Sequence, residues 1–328
     1  MILGQVYRLA MLLAMTCGCN AVFSIDVVDA VPRSCGPYHA PVALTFTAIA
    51  SPTDLSLETD GVHGLVRASV GTTTQILPII QTAPDTFAVD ATRMKNLATL
   101  QGGNNPILGA HVASVPNHTI PNGLVDPNNL GDLFAEVRTI STDSEVEHYH
   151  FSKTIGWVLA ETRPVDSSPT ETIAPGNELE INAGTATSFT RYLTVIRVDD
   201  DSQVHSVDLD QLLPGDQTWQ VVVVSHIPVT AQINSVHSVT RAVIASGTLV
   251  GDTAVTHPLT LVYSATLLSS PGGTTQIYAS AKTASGFPIG TPVAIAAAPG
   301  EMLEPWVNND CTNLWFRQGD TVYRASSL

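Results

Sequence analysis

At 328 residues, 44% of them apolar and only 13% charged, the chain is long and apolar enough to bury a sizeable core, which excludes a disordered protein. The formal net charge is -15, and lysine occurs only at Lys95, Lys153 and Lys282. A surface of that sign repels phosphate backbones and argues against nucleic-acid binding.

At the N-terminus, Arg8 closes a short polar region and the run Leu9 to Met15 is continuously apolar. That run is far below the ~20 residues needed to span a bilayer, but it fits the core of a signal peptide. Thr16-Cys17-Gly18-Cys19 follows and resembles a bacterial lipoprotein signal, in which a cysteine after a small residue is lipidated and becomes the new N-terminus. Gly18 makes Cys19 the better acceptor and Cys17 the alternative; neither has the Leu that the pattern prefers three residues upstream. The expectation is therefore a signal over 1–19, a tether over 20–40 and a folded domain over 41–328. The mature chain would be exported and held on the membrane by lipid, in the periplasm or at the cell surface. Cleavage and plain secretion is the alternative. Cys35 and Cys311 are the cysteines left in the folded part, and in an exported chain they favour a disulfide over two separate buried thiols. The absence of a CxxC pair or a Cys/His cluster speaks against structural zinc.

From Pro41 onward, short β-rich runs alternate with Gly, Pro, Asn and Asp turns. Examples are Val42 to Phe46, Tyr192 to Ile196, Trp219 to Val224 and Leu259 to Tyr263. No long segment keeps a helical period, so the folded part reads as all-β. The stretch Gln101 to Asp132 reads as irregular loop and carries the glycosylation sequon Asn117-His118-Thr119, which would be idle in a bacterial lipoprotein. Near the C-terminus a pair of strand cores recurs. Leu261-Val262-Tyr263 with Gln276-Ile277-Tyr278 is followed by Leu314-Trp315-Phe316 with Thr321-Val322-Tyr323. The spacing is about 50 residues, the size of one propeller blade. Each pair flanks a Gly-containing turn and describes a hairpin that cannot bury its own face, whereas several stacked around an axis can.

The segment Pro305 to Phe316 resembles the TolB-type, WD-like propeller repeat, with Asp310 at the turn aspartate and Leu314 and Phe316 at the strand positions. Asn308, Asn309 and Cys311 replace its Ser, Pro and Gly. Leu57 to Arg67 is a second copy, in which Asp60-Gly61 keeps the turn pair while Val66 and Arg67 stand for Phe316 and Arg317. Tyr192 to Val195 with Gln203 to His205, and Leu261 to Tyr263 with Gln276 to Tyr278, are degenerate copies. In the last of these His257 stands at the turn aspartate, and Ser152 to Val158 is a possible fifth copy. The resemblance implies one closed propeller of about six four-stranded blades, with five or seven allowed. The first and last blades are then neighbours, which would bring Cys35 to Cys311. Two β-sandwiches divided near Ala174-Pro175-Gly176 are the alternative architecture.

Nothing in the sequence matches a nucleophile elbow, a P-loop, a dinucleotide fingerprint or a zinc-protease helix, and no cofactor is called for. His148 and His150, two apart on a strand beside Glu145 and Glu147, are weak candidates for a metal or acid/base site, against a solvated strand face. Asp199-Asp200-Asp201 with Asp208 and Asp210 is better read as a turn than as a calcium site, because the EF-hand spacing fails. Trp157, Trp219, Trp306 and Trp315 would line a sugar-binding surface or, by default, pack in the core. The expected role is a non-catalytic binding or scaffolding module of the cell envelope, which takes a protein partner or small ligand at the axial face. The rivals are a propeller-based hydrolase or lyase centred on the histidines and a tandem β-sandwich adhesion module.

Overall fold

The computed structural model describes residues 35–58, 61–70, 73–95, 97, 107–112, 129–138, 144–152, 154–164, 178–186, 191–198, 204–212, 217–245, 249–250, 254–255, 259–298, 300–308 and 310–328. The signal over 1–19, with Cys17 and Cys19, lies outside them, as do Asp60, Asp199 to Asp201, the sequon and His257.

The chain enters through β1 (Val42–Ala43) and β2 (Thr45–Thr47), and the described residues then build five sheets of four or five strands in succession. Blade 1 contains β3 (Ala50–Leu57), β4 (His63–Val70), β5 (Thr73–Ala83) and β6 (Thr86–Val89), and β2 pairs parallel to β6 at its rim. Blade 2 contains β7 (Ile107–Val112), β8 (Asn129–Arg138), β9 (Ser144–Ser152) and β10 (Gly156–Pro164). Blade 3 contains β11 (Glu178–Ala186), β12 (Arg191–Val198), β13 (His205–Leu212) and β14 (Gln220–Val221). A small hairpin of β15 (Val223–Val224) and β16 (Ile227–Pro228) and one helical turn, α1 (Ala231–Asn234), lead to β17 (His237–Ala245). After a second small hairpin, β18 (Leu249–Val250) with β19 (Ala254–Val255), blade 4 is completed by β20 (Thr260–Leu267), β21 (Gln276–Ala281) and β22 (Thr291–Pro292). Blade 5 takes β23 (Leu303–Val307), β24 (Asn313–Gln318) and β25 (Thr321–Ser326) from the C-terminus. Its fourth strand is β1, from the opposite end of the folded chain.

An inner strand of each sheet touches the next blade, with β4 and β13 also taking part in blades 1 and 3. β3 meets β7, β7 meets β11, β11 and β12 meet β17, β17 meets β23, and β23 returns to β3. Among the described residues that cycle closes a propeller of five blades with β3, β7, β11, β17 and β23 nearest the axis. The count is at the low end of the expected range, and a ring rules out the division into two sandwiches. Apolar side chains fill the spaces between blades. Leu65 and Ile76 meet Leu133, Phe151 and Trp157 between blades 1 and 2, and Ile196 and Leu209 meet Val239 and Leu261 between blades 3 and 4. The largest cluster runs from Val262 and Ile277 through Leu314 and Phe316 to Leu57 and Val66, joining blades 4, 5 and 1.

The stretch expected to be irregular contains β7, the axial strand of blade 2. The expected tether also ends earlier than Pro41. Residues 35–40 are held on blade 5 by Tyr38 O–H donating to the Cys311 carbonyl at 3.1 Å and by His39 N–H donating to Ser326 O at 2.8 Å.

Candidate functional site

Each axial strand carries a register shift against its neighbour: between Thr53 and Ser56 in β3, Ile107 and Gly109 in β7, Ala183 and Ala186 in β11, Val239 and Arg241 in β17, and Leu303 and Trp306 in β23. A bulge re-aims side chains locally. In β3 and β23 it places Asp54 (φ 49°) and Glu304 (φ 52°) in the left-handed region, which L-residues avoid by about 1 kcal/mol or more.

Side chains at the bulges of β3, β17 and β23 form one charged cluster with Arg67 and Arg317 of the neighbouring second strands. The Asp54 carboxylate accepts from Arg67 Nη1 of the next strand at 3.2 Å and from Arg241 of blade 4. The Asp54 backbone N–H donates to Glu304 Oε2 at 3.1 Å, and Glu304 Oε1 holds Arg317 Nη2 at 2.8 Å. Arg317 Nη1 donates to Gly319 O at 2.7 Å, at the β24–β25 turn. The hydrogen bond to Glu304 is the main cause that pushes the Arg317 guanidinium up, burial opposes it, and the negative charges of Glu304, Asp54 and Asp320 add to the rise. The cluster grades from Arg241, 1% exposed, to Arg67, 39% exposed, so it reaches solvent from a buried base. Fixed, mutually paired charges of this kind give a binding surface a preorganised pattern of donors and acceptors.

Asp54 and Glu304 are 250 residues apart, and so are Arg67 and Arg317. The turns between β3 and β4 and between β23 and β24 repeat the same hydrogen bonds: Gly61 N–H to Glu58 O at 2.9 Å in one, Cys311 N–H to Asn308 O at 2.9 Å in the other. Asp310 Oδ1 accepts from Thr312 N–H at 3.0 Å and from its hydroxyl at 2.8 Å. Gly61 (φ 65°) and Cys311 (φ 55°) occupy the same left-handed position, which glycine takes without steric cost. Cys311 holds it while bonded to Cys35, with 5.0 Å between the Cα atoms. The degenerate copies at Tyr192 and Leu261 also fall on second and third strands of their blades, whereas Ser152 to Val158 falls on the outermost hairpin of blade 2.

His148 and His150 lie on β9, the third strand out from the axis. His148 is buried, facing Phe134 and Glu161 in the strand register; the side chain of His150 lies outside the described residues. Tyr149 between them donates its hydroxyl to Glu147, and its burial pushes the phenol pKa up. Among the described residues no group of three or more His, Cys, Asp and Glu side chains is placed to hold a metal ion. Asp208, on β13, is buried against Arg197 with Nε at 2.7 Å from Oδ2, and Asp210 is buried on the same strand.

The four tryptophans separate. Trp157 is buried between blades 1 and 2 with its indole N–H donated to Arg93 O at 2.7 Å, and Trp219 is also buried. Trp306 and Trp315 face each other across β23 and β24 and share a cleft between blades 5 and 1. Sequence reasoning linked Arg67 to Arg317 but missed their acidic partners. The signal available was an acidic residue 13 positions before each arginine.

No family model and no curated protein matches this chain. Among solved structures it is similar to TolB from Acinetobacter baumannii, with 8% identity and a TM-score of 0.39 over 85% of this chain and 55% of that one. The chain thus spans about half the length of that TolB.

Proposed function

We propose that this chain is a non-catalytic binding module of the cell envelope, anchored by lipid on Cys19, with Cys17 the alternative acceptor, and docking a protein partner on the axial face of its propeller. The observation that carries the reading is the axial cluster: blades 1, 4 and 5 bring Asp54, Glu304, Arg67, Arg241 and Arg317 together, with one end open to solvent. The disulfide between Cys35 and Cys311 supports an oxidising, extracytoplasmic location. The acidic balance of the whole chain favours a partner with a basic face, steered by long-range attraction. The placement of His148 and His150 on a third strand, away from the axis, favours binding over hydrolysis or lyase chemistry.

The test is capture from envelope extracts by the immobilised Cys19→Ala chain and by the same chain carrying Asp54→Asn and Arg67→Gln. We expect one or more proteins retained in a salt-dependent manner by the first and lost from the second. Capture indifferent to the axial changes would remove the axial face from the account. In cells, Cys17→Ala combined with Cys19→Ala is expected to move the protein from the membrane to the soluble fraction; continued membrane association of that double variant would count against the anchor.

A further inference from the structure

We infer that the hairpin of β15 and β16, which follows the outer strand of blade 3, dips its tip into the surface of a phospholipid bilayer. The choice of a bilayer as the occupant rests on the lipid anchor of the proposed function. The sequence singles out this region by its lack of charge. Between Asp216 and Glu301 the only charged residues are Arg241, Asp252 and Lys282, in a chain whose formal net charge is -15. Arg241 is buried at the axis, so among the described residues of this stretch Lys282 is the one charged side chain that is not buried.

The shape of the hairpin selects the occupant. It leaves blade 3 at Val222, whose carbonyl accepts the Val229 N–H at 2.9 Å, and it turns over Ser225 (φ 53°) and His226 (φ 68°). Two left-handed residues in succession make the tight turn of a hairpin, a conformation that glycine and asparagine fill at lower cost. In the ribbon Val224 pairs with Ile227 and Val223 with Pro228. Successive side chains of a strand point to opposite faces, so Val223 and Ile227 emerge on opposite sides of the ribbon. They are 48% and 57% exposed. A protein covering one face would leave the other aliphatic side chain in water, whereas acyl chains close around both.

The surroundings fit the same occupant. Phe287 N–H donates to Val229 O at 2.7 Å, which sets the segment before β22 against the base of the hairpin and brings Ile289, 48% exposed, beside it. The tight turn over 283–286, closed by Thr283 N–H to Gly286 O at 2.9 Å, returns Phe287 alongside Lys282. An aliphatic tip backed by a lysine suits the headgroup layer, where the amine meets phosphate while its stem lies along apolar surface. A second copy of the chain is the other occupant that an uncharged face on an acidic protein admits. Three half-exposed aliphatic side chains supply only a small part of the ~800 Å² that each partner buries in a standard protein interface. A bilayer sets no such minimum once a tether holds the chain close to it.

The experiment uses residues 20–328 with Cys35 and Cys311 joined, a chain that carries neither candidate lipidation cysteine. An environment-sensitive dye is attached at His226→Cys or, for comparison, at Asp320→Cys in the exposed β24–β25 turn of blade 5, and each is titrated with phosphatidylcholine vesicles. A saturable blue shift is expected at position 226 and none at position 320. The lipid concentration at half-saturation should rise at least about tenfold with Ile227→Asp and with Val223→Asp. A urea midpoint measured on each variant separates loss of the contact from loss of the fold. The inference is overturned if position 226 gives no saturable shift, if both positions shift alike, or if both folded Asp variants respond as the parent does. A shift at position 226 that grows with protein concentration and needs no vesicles would also overturn it, by assigning the face to a second copy. No lipid is attached in this titration, so its failure and the failure of the anchor in cell fractionation are read separately.

Discussion

In blades 1 and 5 the strand nearest the axis supplies a carboxylate, Asp54 or Glu304, and the second strand supplies its arginine, Arg67 or Arg317. In blade 4 the sign is reversed: the axial strand supplies Arg241, and the second-strand residue opposite it in register is Ser264. A third carboxylate at the axis would repel the other two, whereas Arg241 binds Asp54 across 187 residues of sequence. Two blades therefore repeat one local arrangement, and a third supplies the complementary charge that links it across the ring.

The closure can be broken first at its covalent latch. Cys35→Ser opens a loop of 276 residues, and the chain-entropy relation assigns the bond about 5 kcal/mol. A fall of that order in unfolding free energy by urea titration is expected, and addition of reductant to the parent chain should match it. Next is the buried arginine of blade 4. Arg241→Met strips Asp54 of its buried partner and should cost about 3 kcal/mol, while Arg67→Met, at a more exposed site, should cost no more than about 1 kcal/mol. Equal effects in the same titration would erase the distinction between the two blades.

Blade 4 also differs in its core. His237 is buried against the rings of Tyr263 and Tyr278, with its centroid 4.3 Å from that of Tyr278. Tyr263 Oη accepts the Gly290 N–H at 3.0 Å and shares a hydrogen bond with His237 Nδ1 at 3.1 Å. Burial lowers the His237 pKa below its ordinary 6.5. The unfolded chain then binds the proton more readily than the folded one. The stability from this group is complete above about pH 6.5 and is lost as pH falls through the lower folded value. Stability measured from pH 7 to pH 5 should decline in the parent and decline less in His237→Phe. Of the effects in this comparison, we expect this to be the smallest at neutral pH.

How much of this was legible in the sequence depends on how local the cause is. Tyr263 and Tyr278, and Phe316 and Tyr323, are cross-strand pairs with ring centroids 5.4 and 5.8 Å apart, and both hairpins could be read from alternation around a glycine turn. The four-stranded unit and the neighbourhood of Cys35 and Cys311 were what the resemblance to a TolB-type propeller repeat implied. The blade count was harder, because dividing length by a fixed period assumes that every blade takes the same length of chain. Ser152 to Val158 shows the same limit: a polar turn followed by glycine and an aromatic occurs at outer hairpins as well as inner ones. The axial cluster left one faint trace, the acidic residue 13 positions before Arg67 and before Arg317. Asp54 and Glu304 reach it through bulged backbone at positive φ, and Arg241 meets Asp54 only once the ring has closed. The cleft was half visible. Four tryptophans were candidates, and only the pairing of β23 with β24 sets Trp306 opposite Trp315.

The most direct test of the closed ring is a double-mutant cycle on Asp54 and Arg241, read by urea unfolding of the disulfide-bonded chain. With Asp54→Asn, Arg241→Gln and the double variant, we predict a coupling of about 1 to 3 kcal/mol, the range for residues in contact. Additive effects, with coupling within about 0.5 kcal/mol of zero, would mean that blades 1 and 4 do not meet at an axis and would contradict the account.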